Sequence, residues 1–376
     1  MQDVAINWQI YQLTRSPLSL GLVGLAKFIP VLLFSLISGI MTDIFSRKKI
    51  IFFVQVFSII NTLILAFLTI FGKITPLLIY LLIGLDAGIY SFESTARQAI
   101  TPTIVKKEDF PLAVNISNII YNSTNFIGPA LGGFIIAYLG VQSVYVINAF
   151  TFLSVIVILF MLGPIPKILV NRPQFNLKGI KEGIDFVFKS PLIYGSMFID
   201  FVATFFASAS TLMPIFAVDI LKVGPKQLGF LYAAPSIGAI IAGLLFPLIN
   251  KIKSKGKLLV FSICFFGLNT IFFALSKNLY LSLIFIGLSG AGDMISAVIR
   301  NVIRQMNTPD HLRGRMISIN MMFYTGGPQL GEMEAGIAAN LLGTPLSVAF
   351  GGIATIIVTI YIAVKTPQLL NYKDGN

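Results

Sequence analysis

Residues 31–71 read VLLFSLISGIMTDIFSRKKIIFFVQVFSIINTLILAFLTIF. Two long apolar runs flank a short knot of charge, Asp43 with Arg47, Lys48 and Lys49. A helix needs about 20 apolar residues to cross the hydrocarbon core of a bilayer. The second run meets that length, the first does so when followed back to Pro17, and the knot between them is short enough to be a turn at the membrane surface. The reading is an all-α integral membrane protein, and it sets the question for the rest of the chain.

Further runs of the same kind follow. The expected spans are 17–42, 50–72, 75–96, 111–139, 141–162, 191–219, 225–249, 257–276, 279–303, 315–341 and 344–364. A shorter apolar stretch, Val4 to Leu13, precedes them at half the length of a span. Composition agrees: of 376 residues 56% are hydrophobic and 11% charged, against roughly 25% charged in a soluble globule. One cysteine, Cys264, excludes an internal disulfide, and with His311 it leaves no usual zinc set, so neither metal nor cofactor is expected. Met1 to Thr14 has no basic n-region and no cleavage site, so it does not read as a signal peptide. The polar stretch 164–190 carries Asn171, Arg172, Pro173, Lys181, Glu182, Asp185 and Lys189, interrupted by Phe186 and Phe188. It is expected to be a partly helical cytoplasmic linker between an N-terminal helical bundle, 1–163, and a C-terminal one, 191–376.

The net charge of +12 has a direction. Lys and Arg accumulate on the cytoplasmic side of membrane proteins. With the loop of Arg47, Lys48 and Lys49 placed there, 21 of the 27 Lys and Arg become cytoplasmic. The other side holds Arg15, Lys73, Lys222, Lys226 and Lys277, and Lys27 falls inside a helix. Both termini are then expected in the cytoplasm. Charge spread over six separate segments also excludes nucleic acid as a partner.

The chain repeats itself. Pro17-Leu-Ser-Leu20-Gly21-Leu22 recurs as Pro225-Lys-Gln-Leu228-Gly229-Phe230, an offset of 208. Arg97-Gln98-Ala-Ile-Thr101-Pro102 recurs as Arg304-Gln305-Met-Asn-Thr308-Pro309 at 207, and the same offset carries Asp86 onto Asp293. Matching sites lie on helices of equal orientation. Two six-helix halves related by an axis along the membrane normal suit a transporter with its site between the halves. The repeat also implies that the first helix is truncated, with about 17 residues expected before Met1 by the offset that starts the second half near Pro191.

Three segments carry family character. Gly39-Ile-Met-Thr-Asp43-Ile-Phe-Ser-Arg47-Lys48 joins a close-packing glycine, an acid at a helix end, and bases four and five residues on, the parts of a cytoplasmic charge clamp. It resembles the loop motif of the major facilitator superfamily, with Ile44 and Ser46 in place of the usual base and glycine. Gly128-Pro129-Ala-Leu-Gly132-Gly133 combines a missing backbone donor with missing side chains, so the helix can bend and pack closely. This run is similar to the end of a motif associated with exporters of that superfamily, though the upstream glycines are absent. The third segment runs from Gly290 through Asp293, Arg300, Arg304, Asp310, Arg313 and Arg315 to Asn320 and Glu334. With Leu228 to Ala234, it resembles the bacterial branch that includes enterobactin exporters and macrolide efflux proteins. The resemblance covers essentially the whole chain. It implies two six-helix bundles, and assigns Gly39, Asp43, Arg47, Lys48, Arg97, Asp293, Arg300, Arg304, Asp310 and Arg313 to a cytoplasmic gate.

Acids inside the spans carry the mechanism. Asp86, Glu93, Asp200, Asp293, Glu332 and Glu334 fall in apolar runs, where an ionised carboxylate is expensive unless paired or hydrated. Glu93 and Arg97 stand at i, i+4, the spacing of a helix-surface pair. Glu332 and Glu334 point about 200° apart on one helix and so do not line one cavity together. Asp86, Asp200, Glu332 and Glu334 are the proton-coupling candidates. The expected function is export of small amphipathic molecules of drug, macrolide or siderophore type by proton antiport and alternating access, by a monomer in a bacterial plasma membrane. No Gly-x-x-x-x-Gly-Lys-Ser/Thr loop accompanies it, so the chain brings no ATPase of its own. The alternatives are a proton-coupled uptake symporter and a non-transporting receptor or scaffold. An enzyme is not expected, because no nucleophile–base or metal constellation is visible.

Overall fold

Pro17, Pro76, Pro191, Pro225 and Pro367 each open a helix, where the missing N–H belongs to a donor that has no intrahelical partner in any case. The computed structural model describes residues 1–373 apart from 106–108, 163–176, 208 and 250–251. Its elements are α1 (Gln2–Thr14), α2 (Pro17–Ile44), α3 (Arg47–Ile70), α4 (Pro76–Ile104), α5 (Phe110–Leu139), α6 (Val141–Met161) and α7 (Leu177–Lys189). After them come α8 (Pro191–Phe206), α9 (Met213–Ile215), α10 (Pro225–Ile249), α11 (Lys255–Leu275), α12 (Leu279–Met306), α13 (Asp310–Leu342), α14 (Thr344–Lys365) and α15 (Pro367–Leu370). Among the described residues nine helical segments, the interrupted Pro191–Ile220 included, are long and apolar enough to cross a membrane. Two more long helices, α5 and α13, have 30 and 33 residues.

One expected span is interrupted. The run 191–219 is not a single helix: α8 stops at Phe206, Ser210–Leu212 forms a 3₁₀ turn, and Phe216–Ile220 widens into a π-helical turn. Pro214 removes a backbone donor and crowds the carbonyl one turn earlier. Ser210 and Thr211 before it can bond locally through their hydroxyls in competition with a continuing helix, and Thr211 Oγ1 donates to Leu20 O at 3.1 Å.

The repeat is visible in the backbone as well as the sequence. Arg15 and Lys222, 207 residues apart, are the described non-glycine residues with positive φ, at 50° and 54°. Gly140 (φ 81°) joins α5 to α6, and Gly343 (φ 85°) joins α13 to α14. Packing repeats in the same order. In the first half α3 packs on α4 and α6, and α5 on α6; in the second α11 packs on α12 and α14, and α13 on α14.

The chain divides into two compact units. The first comprises Met1–Arg15, Leu25–Gln174 and Gly224–Gly229; the second comprises Ser16–Gly24, Phe175–Val223 and Phe230–Asn376. In the first unit Ile51, Ala96, Ile100 and Leu159 form a buried cluster. In the second, Ile199, Leu259, Ile263, Ile299, Ile303 and Ile362 join α8, α11, α12 and α14. The linker helix α7 belongs to this unit, its Val187 buried with Ile193, Met197 and Met316; the rest of the expected linker, 164–176, is outside the described residues.

Candidate functional site

α3 turns its polar side inward. Gln55, Ser58, Asn61 and Thr62 are all buried, while Phe53, Ile60, Phe67 and Ile70 are more than half exposed, the reverse of a soluble amphipathic helix and the arrangement that lipid demands. At a spacing of three, those buried groups climb one face of α3 and meet α4. Asn61 Nδ2 donates to Leu82 O at 3.1 Å, Ser58 Oγ to Asp86 Oδ1 at 2.8 Å, and Gln55 Nε2 to Glu93 Oε2 at 2.7 Å. Arg97 closes the ladder by pairing with Glu93 one turn along α4. Asp86 is thus held by a hydroxyl, whereas Glu93 is neutralised. Above them Lys27 Nζ sits 2.6 Å from Asp3 Oδ1. Tyr145 Oη donates to Gln9 at 2.7 Å, and Gln9 donates to Thr69 at 2.9 Å.

The second unit buries a denser charge cluster. Arg300 Nη2 lies 3.0 Å from Asp200 Oδ1 and 3.3 Å from Asp293 Oδ1. Arg304 Nη1 lies 3.4 Å from Asp200 Oδ2 and also donates to Asn320, while its Nη2 donates to Asn301 at 3.0 Å. Both oxygens of Asp200 therefore face guanidinium groups. An arrangement of this kind is costly to break at one end, because an uncompensated charge is left buried.

The remaining sequence-derived residues fall in separate places. Glu332 lies on α13 against Gly24, where a Cβ would come 2.7 Å from the Glu332 Cβ. Glu334, two residues on, is half-buried. Arg47 and Lys48 begin α3, and Lys48 Nζ donates to Leu162 O at 2.6 Å, capping the end of α6. Gly39 and Asp43 lie on α2 and Asp310 starts α13, with the side chains of Asp43 and Asp310 outside the described residues. Arg313 is exposed on α13. α5 runs unbroken through Pro129; Gly128 and Gly132 lie against Met1. Gly133 meets Gly229, where a Cβ would stand 2.7 Å from the Gly229 Cα. A counterpart crossing brings Gly336 to Gly21, also at 2.7 Å from the Cα. Sequence reasoning missed Gln55, Ser58 and Asn61 as partners and Asp3 as the counterion of Lys27. The three-residue polar stripe in an otherwise apolar α3 was the available signal.

Comparison with known proteins places these features in context. The family described as transmembrane secretion effector matches residues 1–373. The chain is 27% identical over 381 residues to the multidrug efflux pump Tap of Mycolicibacterium fortuitum, covering 98% of this chain and 88% of that protein. It is 27% identical over 380 residues to the staphyloferrin A transporter of Staphylococcus aureus, covering 100% and 94%. To the enterobactin exporter EntS of Escherichia coli it is 26% identical over 378 residues, covering 99% and 89%. Among solved structures, the nucleoside transporter NupG superposes with a TM-score of 0.69 at 14% identity over 99% of this chain and 97% of that one. A bacterial homolog of the lysosomal transporter Spinster superposes at 0.72 and 12% identity over 98% and 94%. These likenesses establish the fold.

Proposed function

We propose that this chain, which belongs to the transmembrane secretion effector family of major facilitator transporters, exports small amphipathic molecules in exchange for protons. It is a multi-pass membrane protein of a transporter family and not an enzyme. The observation that carries the coupling reading is the set of carboxylates placed inside apolar helices, each with a polar or charged partner. Asp86 accepts from Ser58, and Asp200 and Asp293 share Arg300. A passive pore or a scaffold has no need of intramembrane acids, whereas a proton-driven cycle needs groups that change charge as the site alternates between the two sides. Export, and a substrate of drug or siderophore class, are supported by relatives named for multidrug efflux and enterobactin export. Basic residues concentrated in one set of loops support a plasma-membrane protein with cytoplasmic termini, and the protein is taken to act as a monomer. Glu332 and Glu334 on α13 remain coupling candidates beside Asp86.

The test is expression in an efflux-deficient bacterium loaded with ethidium or a macrolide. Cells making the protein should retain less of at least one compound, and a protonophore should abolish the difference. Equal retention with and without the protein across drugs and catecholate siderophores would refute export of this class.

A further inference from the structure

Asp200 and Asp293 meet on one nitrogen, Arg300 Nη2, but they live in different surroundings. The Asp200 side chain is 5% exposed, and its second oxygen is taken by Arg304. The Asp293 side chain is 47% exposed, and its one cation contact is the longer of the two at Nη2, 3.3 Å against 3.0 Å. A proton arriving at Asp200 would have to break two buried ion pairs and leave two guanidiniums without their shared counterion. One arriving at Asp293 meets a half-exposed carboxylate and breaks a single long contact, and Arg300 keeps its counterion throughout.

Arg300 itself is suited to respond. Its Nε and Nη1 are buried without an acceptor among the described residues, so its hydrogen bonding rests on Nη2. A buried donor left unmade keeps its full desolvation cost, so Arg300 gains from any acceptor that a rearrangement brings to those two nitrogens. The charges acting on Asp293 are those of Arg300 on its own helix and Asp200 on α8; Arg304 faces the far side of Asp200. α10 and α11, also packed on α12, carry no charged residue between Lys226 and Lys251 or between Lys257 and Lys277, and contribute only Tyr232 and Cys264 as titratable groups in those intervals.

The repeat points the same way. An offset of 207 maps Asp86 to Asp293, Glu93 to Arg300 and Arg97 to Arg304. The acid is kept at the first position and exchanged for a base at the second, so the second half needs a counterion from another helix. Asp200 on α8 is that counterion.

We propose that Asp293 is the carboxylate at which the second repeat takes up and releases its proton, that Asp200 is a positioning residue for Arg300 and Arg304, and that Arg300 transmits the charge of Asp293 to α8. The assignment rests on the proton-antiport reading above. In the step itself a proton from the aqueous phase bonds to an Asp293 oxygen, the Asp293–Arg300 contact breaks, and Arg300 retains Asp200; loss of the proton to water reverses it.

The experiment is an infrared pH titration of the purified full-length protein in nanodiscs, with aspartate carbon-13 labelled at the carboxyl so that aspartyl C=O bands separate from glutamyl ones. It uses no transported probe. Asp293→Asn should remove one titrating aspartyl band, and Asp293→Glu should restore a titrating group in the glutamyl region, a result that a merely structural acid would not give. Asp200→Asn should remove no titrating band; if that variant does not fold, the Asp293 pair decides alone. An unchanged aspartyl titration in folded Asp293→Asn overturns the assignment. The antiport reading fails separately, if wild-type protein in proteoliposomes accumulates none of ethidium, a macrolide or enterobactin in response to a pH gradient; the assignment of a coupling proton then falls with it.

Discussion

Asp200 shows how much a single residue's role depends on neighbours that sequence does not display. Its depth in an apolar run makes it a natural candidate for carrying a proton. Arg300 and Arg304 come from a helix about 100 residues away in sequence, however, and only folding brings them to its two oxygens. Removing one partner from a buried ionic cluster costs about 3–5 kcal/mol. Asp200→Asn should therefore lower the melting temperature in detergent and the folded yield together, whereas Ser58→Ala, which deletes one hydroxyl bond to Asp86, should cost about 1 kcal/mol and leave yield unchanged. Thermal shift and size-exclusion profiles distinguish the two. A stable, monodisperse Asp200→Asn protein would show that the guanidiniums do not depend on it. The ladder from Gln55 to Asn61 was legible in principle, since polar residues at a spacing of three in a lipid-facing helix must find partners inside; that the partners are Glu93, Asp86 and Leu82 was not, because spacing gives a face and not the neighbour.

At the scale of elements, the long helices follow directly from apolar length, whereas the interruption in the 191–219 run does not: Pro214 lies in it, yet α5 runs unbroken through Pro129. A run can be apolar throughout and still fail to be one helix. α7 offers a cleaner separation of forces. It is held to the second unit by Val187, fully buried, and by the exposed pair of Glu182 with Arg315. Exposed ion pairs contribute about 0–1 kcal/mol, whereas burying an unpaired charge in place of an apolar side chain costs several. Val187→Asp should release α7 to limited proteolysis near Lys181 and Lys189, and Glu182→Ala should not. Equal protection in both variants would mean that Val187 does not anchor the helix. The glycine crossings make a related prediction. Gly133→Leu places a branched side chain where even a Cβ would stand 2.7 Å from the Gly229 Cα, so transport should fall at least tenfold with α5 still helical by circular dichroism.

For the molecule as a whole, the repeat was the most informative sequence signal, because it fixes element order without any knowledge of contacts. The matching backbone at Arg15 and Lys222, and at Gly140 and Gly343, is its structural counterpart. Orientation rests on loop charge alone and has its own check. In a Cys264→Ser background, Lys73→Cys and Lys277→Cys should react with a membrane-impermeant maleimide added to intact cells, and Lys253→Cys only after lysis; the opposite pattern would invert the topology. The central claim is that export is powered by proton entry, and its most direct measurement uses purified protein in proteoliposomes under an imposed pH gradient. A panel of ethidium, a macrolide and enterobactin is followed with and without protonophore. The account predicts that at least one compound accumulates against its own gradient on the acidic side and drains when the protonophore is added. Equilibration of every transported compound to equal concentrations, whatever the pH difference, would contradict it.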